Sequence, residues 1–263
     1  MFALRSENYQ AEFLTIADKI LNQATLCCNE VKAQICEIEF YYTNPKHPDP
    51  FSHQTEDQLT HACWYFHRQN GGNYSGGSFK GLDITLGCGK LENTYGGILI
   101  RTIKVDNKII EGPCKVVDWI LTTCNVTSIK ELVSDKLSPL PIDDGILRLT
   151  FDTPRRHNII ESSPRFGLTL KKADNLEDRL KYLMKEYRFT TCANSLKKGK
   201  NLIMLARYLK TNDDKFILPR WLTFFNQGKN KNIEYFLDKE NCGIKTVQIQ
   251  CEAYGFLYTR YKV

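Results

Sequence analysis

The segment Ile35-Cys36-Glu37-Ile38-Glu39-Phe40-Tyr41 constrains the chain most, because it sets two carboxylates into a short apolar run with strand alternation. A period of two puts Glu37, Glu39 and Tyr41 on one face and Ile38 and Phe40 on the other. Two acids facing the same way destabilise a strand unless solvent, a cation or a chemical task accounts for them. Two alternatives follow: a half-exposed edge strand with a solvated acidic face, or a site. The next loop, Asp49-Pro50-Phe51-Ser52-His53, delivers a histidine. An acid, an aromatic and a histidine together suit a pocket that holds a flat ring against a carboxylate.

The rest of the pattern is mixed α and β. Phe13, Ile16, Ala17, Ile20 and Leu21 recur at helical spacing, so Asn8 to Thr25 is expected to be an amphipathic helix. Strands are expected at Val31 to Tyr42, Trp64 to Phe66, Phe79 to Leu86, Gly97 to Val105, Lys108 to Ile110, Ile146 to Phe151 and Phe166 to Leu170. Asp106-Asn107 suits a two-residue hairpin turn, and Gly71 to Gly77 suits a longer one. Gly112-Pro113 opens a helix to Thr123, where a proline at the first turn loses no hydrogen bond. Leu176 to Tyr187 is a further helix, and the alternation of Val247, Ile249 and Cys251 suggests a packed strand near the C-terminus.

Charge is unevenly distributed. Residues 192–263 hold 13 Lys and Arg against 6 Asp and Glu, whereas residues 1–191 hold 23 against 24. The basic quarter interleaves Tyr208, Phe216, Trp221, Phe224, Phe225, Tyr235 and Phe236 with its cations. Phosphates need charge and unstacked bases need planar partners, so this is a candidate nucleic-acid surface, with Lys197, Lys198 and Lys200 its densest cluster. A plain solvated face with core aromatics is the alternative. Charge and texture change near Thr191, which sets the expected boundary between residues 1–191 and an extension over residues 192–263 packed on them.

No run approaches the roughly 18 apolar residues of a membrane span, and residues 1–10 lack a signal-peptide core. The ten cysteines are irregularly spaced, as expected of reduced thiols inside the cell, nuclear or cytoplasmic. His47, His61, Cys63 and His67 match no common metal-ligand spacing.

Six short segments, in order over residues 35 to about 191, resemble the alkyladenine (3-methyladenine) DNA glycosylase family. They are Glu37-Ile38-Glu39-Phe40-Tyr41, Asp49 to His53, Leu82-Asp83-Ile84, Leu99-Ile100-Arg101-Thr102, Gly112-Pro113-Cys114-Lys115-Val116 and Arg165-Phe166-Gly167-Leu168. The resemblance implies an α+β fold: a single mixed domain on a curved antiparallel sheet with flanking helices, here with the basic extension. It also implies base excision in DNA repair by a monomer that uses no metal or organic cofactor, binds single- or double-stranded DNA, and does not engage membrane.

In that family pattern Glu39 is the carboxylate that activates water, since a departing base leaves oxocarbenium character on the sugar. Arg101 holds the carboxylate and the water, the Thr191 backbone supplies another contact, and Tyr41 and His53 wall the base pocket. Glu37 is a supporting or solvated group, and Lys115 a structural or phosphate contact. The chain departs from the pattern at two places. A glycine falls at the wedge position, with Tyr74 or Phe79 as replacements, and Asp83 stands where the family has asparagine. A carboxylate accepts where an amide donates, so Asp83 is expected to shift selectivity toward amino-bearing or cationic alkylated purines. Two other functions fit the residues: a nucleic-acid-binding protein of the same fold without turnover, and a nucleosidase acting on a small nucleoside or nucleotide.

Overall fold

The structure is a computed structural model that describes residues 2, 4, 6–69, 72–89, 93–137, 140–151, 154–171 and 174–261. The side chains at 135 and 136 lie outside the description, as does Gly71 of the expected glycine turn. The chain forms two compact units, Met1–His47 with Ser52–Ile160, and Pro48–Phe51 with Glu161–Val263. Residues 161–191 therefore group with the C-terminal residues, whereas the change of charge near Thr191 had set them with the first domain.

In the first unit, α1 (Tyr9–Asp18) starts at Asn8, whose side chain accepts from the Ala11 amide. A π-turn over Lys19–Gln23 continues it, and the chain becomes extended at Ala24, so Thr25 belongs to β1 (Thr25–Cys28) instead of the helix. Then come β2 (Val31–Asn44), the two-residue β3 (His47–Pro48), β4 (His61–Phe66), β5 (Leu82–Leu86), β6 (Tyr95–Val105), β7 (Lys108–Glu111) and β8 (Leu147–Thr150). The sheet is open and its strands run β4-β5-β6-β2-β1-β8, with β7 on β6 and these pairs antiparallel. Helices α2 (Pro113–Thr123) and α3 (Ile129–Lys136) flank it.

Local chemistry accounts for these boundaries. Asp106 and Asn107 both take left-handed φ, 45° and 66°, as a two-residue hairpin requires. β5 starts at Leu82, three residues later than expected, because Gly77 turns left-handed (φ 54°) into a short 3-10 segment, Gly77–Phe79. β2 lies between β6 and β1 and is not an edge. Its apolar face packs inward: the Phe13 and Phe40 rings stack with centroids 4.4 Å apart.

The second unit pairs β9 (Glu161–Ser163) with β10 (Arg188–Thr190) and adds α4 (Leu176–Leu183), α5 (Lys200–Thr211), α6 (Pro219–Gly228), α7 (Ile233–Leu237) and α8 (Val247–Tyr261). Two expectations are corrected here. Phe166 to Leu170 is not a strand, because Pro164 lacks a donor and Gly167 is left-handed (φ 91°); the strand is β9 instead. Val247, Ile249 and Cys251 begin a helix: Val247 is exposed while Ile249 to Leu257 are buried consecutively, the pattern of a helix enclosed on all sides. The aromatics of the tail are largely core. Trp221, Phe225 and Phe236 are buried with Tyr254 and Leu257, and Lys229 and Lys231 lie over the Phe225 and Tyr235 rings.

Helices α6 and α8 meet backbone to backbone at two glycines. A Cβ at Gly228 would collide with the Glu252 carbonyl, and one at Gly255 with the Phe225 carbonyl. Neither obstacle is a flexible side chain, so Gly255→Ala should destabilise the protein by roughly 1–3 kcal/mol or more. Gly76→Ala, where nothing lies within 4 Å, should be near neutral. Chemical denaturation of the two variants checks this contrast.

Candidate functional site

The acidic face of β2 is buried and paired. Glu37 and Glu39 are 1% and 0% exposed. Arg101, from the neighbouring strand, donates from Nε to Glu37 Oε1 at 3.1 Å and from Nη1 to Glu39 Oε2 at 3.0 Å. The Tyr41 phenol donates to the same Glu39 oxygen at 2.8 Å, and the Thr102 hydroxyl to Glu37. Backbone irregularity builds this geometry. The β2–β6 register passes over Cys36 on one strand and Arg101 on the other. Bulges of this kind re-aim side chains, and this one sets a guanidinium between two carboxylates. Burial disfavours the Arg101 charge, but Glu39, then Glu37 and Tyr41, outweigh it and raise its pKa further.

A second polar cluster lies on the same face of the sheet. Direct cross-strand partners run Tyr65–Asp83–Leu99–Glu39 across β4, β5, β6 and β2. Partners in such a row share a face, which puts Asp83 two strands, or about 10 Å, from Glu39. Gly97 lies one row on, between Tyr41 and Thr85. A Cβ there would strike Asp83 and Gln58, so only glycine admits that pair.

Asp83 is not open to a ligand edge. Its Oδ1 accepts from His67 Nε2 at 2.8 Å and its Oδ2 from Gln58 Nε2 at 3.3 Å. The His53 ring meets the His67 ring nearly edge-on, with centroids 4.6 Å apart, and His53 Nδ1 lies 3.4 Å from the Tyr65 hydroxyl. His53 keeps solvent-accessible surface, yet the atoms around its ring strip enough hydration to lower its pKa. Repulsion from His67 adds to that shift, and attraction to Asp83 opposes it. Burial likewise pushes the Tyr65 phenol up.

Other expected residues are distributed as follows. Tyr74 is held under Arg68, whose guanidinium carbon sits 4.4 Å from the ring centroid. Phe79 is 77% exposed at the end of the Gly77–Phe79 turn, which packs on α2, and Lys115 is exposed in the first turn of that helix. In the second unit Lys197 and Lys198 are exposed just before α5, and the Lys200 ammonium donates to the Asn194 carbonyl at 3.0 Å. Thr191 follows β10 in that unit.

Sequence reasoning assigned no site role to Tyr65 or Gln58, weighed His67 only as a metal ligand, and did not pair Arg165 with Asp49. The step of two from Tyr65 to His67 could have found those two; Gln58 comes from a 3-10 turn and carries no sequence signal. Asp49 accepts from Arg165 Nη1 at 2.6 Å and from Nη2 at 3.2 Å, a bidentate pair with both side chains at 0% exposure. Among the described residues, no group of three or more His, Cys, Asp and Glu is placed to hold a metal ion, and no helix is long and apolar enough to cross a membrane.

An open antiparallel sheet with flanking helices, carrying a buried cluster of two carboxylates and one guanidinium, defines this α/β protein. No protein-family profile matches the sequence. The chain is 34% identical over 219 residues to Uncharacterized protein L759 of Acanthamoeba polyphaga mimivirus, an alignment covering 77% of this chain and 98% of the viral protein. It belongs to the family of that protein.

Removing one partner of a buried ion pair leaves a charge without compensation. Asp49→Ala should therefore lower stability by about 3–5 kcal/mol. Glu7→Ala, which breaks the exposed pair with Lys46, should leave the urea midpoint where it is.

Proposed function

We propose that this protein hydrolyses the N-glycosidic bond of a modified, purine-like base in DNA, in the manner of the alkyladenine glycosylases it resembles. The observation that carries this is the Glu39 carboxylate, which accepts hydrogen bonds from Arg101 and Tyr41. Such a carboxylate takes a proton from water, and its own negative charge favours the positive charge that develops on the sugar as the base leaves. Tyr41, His53 and Tyr65 supply the pocket walls.

Phe79 is the wedge. It projects into solvent while Tyr74 is occupied by Arg68, and an exposed aromatic on a short turn suits insertion between base steps. Lys115 would meet phosphate beside it. In the second unit, taken by itself, Lys197, Lys198 and Lys200 would contact phosphate. The complete burial of Glu39 favours one other reading, a DNA-binding protein of the same fold whose Glu39–Arg101 pair is structural.

Oligonucleotides carrying alkylated or deaminated bases, in single and double strands, followed by alkaline cleavage, separate the two readings. Glu39→Gln should cut base release by roughly 100-fold or more and leave DNA affinity nearly unchanged. Equal rates for variant and parent would remove Glu39 from the chemistry; binding without release by the parent would favour the non-catalytic reading. Inhibition of release by free nucleosides would point instead to a nucleosidase. Replacing Lys197, Lys198 and Lys200 together by alanine should make the slope of log affinity against log salt shallower by roughly 2 to 3. An unchanged slope would mean that the cluster only solubilises the protein.

A further inference from the structure

The His67 imidazole is fixed on three sides. Asp83 accepts from its Nε2, and an ionised carboxylate only accepts, so that nitrogen carries the hydrogen. A Cβ at Gly81 would collide with the ring, so the ring lies directly against the glycine, and the His67 amide donates to the Gly81 carbonyl at 3.0 Å. The third side is the edge-on contact with His53. Asp83 is 2% exposed and both its oxygens are engaged, so its influence on any ligand passes through the imidazoles beside it.

We propose that Asp83 and His67 are a positioning pair, which holds His53 at the wall of the base pocket and sets the pH at which its proton is offered to a bound base. This rests on the glycosylase reading of the site. His53 Nδ1 faces the Tyr65 hydroxyl, leaving Nε2 as the donor. As the bond between sugar carbon and base nitrogen breaks, its electron pair goes to the base, which takes the proton from His53 Nε2. Water gives a proton to Glu39 and forms the new carbon–oxygen bond. His53 ends neutral and Glu39 protonated, and solvent resets both.

Among the described residues of its unit, the titratable groups facing His53 are His67, Asp83 and Tyr65; Asp57 lies beyond, with its carboxylate bound by Arg68 Nε at 2.8 Å. The His53 pKa lies below the ordinary 6.5, from lost hydration first and His67 second, with Asp83 opposing. A step that needs protonated His53 is thus fully available at low pH and is lost as pH rises through that lowered value. The two partners act with opposite sign, and this makes the pair separable from a merely structural role.

In the full-length protein, the His53 Cε1 proton followed by NMR should titrate higher in His67→Gln and lower in Asp83→Asn, each by roughly half a unit. The falling limb of the pH profile for release of a neutral base should move in the same two directions. A shared loss of fold cannot mimic opposite shifts, so the second variant guards the first. Shifts of one sign, or none, with base release intact would overturn the positioning pair alone. Opposite NMR shifts without base release by the parent would overturn the glycosylase reading and leave the pair's control of His53 standing.

Discussion

The Glu37–Arg101–Glu39 cluster governs the sheet. Two carboxylates removed from water cost several kcal/mol each unless compensated, and the Arg101 guanidinium bonded to both contributes to that compensation together with the Tyr41 and Thr102 hydroxyls. Arg101 reaches both only because the ladder skips a residue on each strand, so the ion cluster and the bulges specify one another. A slip of one residue would put the acids against Phe13 and leave Ile38 and Phe40 on the polar face. Register is therefore fixed from both faces at once.

The sequence made legible whatever depends on near neighbours. The Asp106-Asn107 hairpin, the proline-started α2 and the alternation of Glu37 to Tyr41 are properties of two to seven consecutive residues, and the structure holds them as expected. What failed depends on distant ones. Val247, Ile249 and Cys251 alternate by accident of composition, because α8 is buried all round and its polar members find partners inside: Glu252 accepts from the Tyr235 hydroxyl at 2.6 Å, and Tyr254 donates to Glu186 at 2.9 Å. Burial, followed by the Glu252 bond and charge, pushes the Tyr235 pKa up to about 12. A helix that hides Gln250 and Glu252 shows no amphipathic period for a sequence to reveal.

The tail also shows why charge and aromatic content mislead together. Cations interleaved with rings suggested a surface for stacked bases. The large rings instead build the core of the second unit, and lysines cover its rim with their stems along apolar surface. Composition cannot distinguish a cation that waits for phosphate from one that shields a ring. Position in the fold does: Lys197 and Lys198 are exposed in the loop before α5, whereas Lys229 and Lys231 lie over rings.

The charged members of the resembling segments meet in space. Glu37 and Glu39 bind an arginine more than sixty positions away, Asp49 binds Arg165 across 116, and Asp83 binds His67 across 16. A buried acid needs a donor or a cation wherever it lies, and these find theirs at long range. Each of these pairings of acid with base joins residues far apart in the chain, so each fixes the tertiary arrangement of the segment it belongs to. Asp83 follows the same rule: an amide there could accept from only one of its two donors, whereas the carboxylate accepts from both His67 and Gln58.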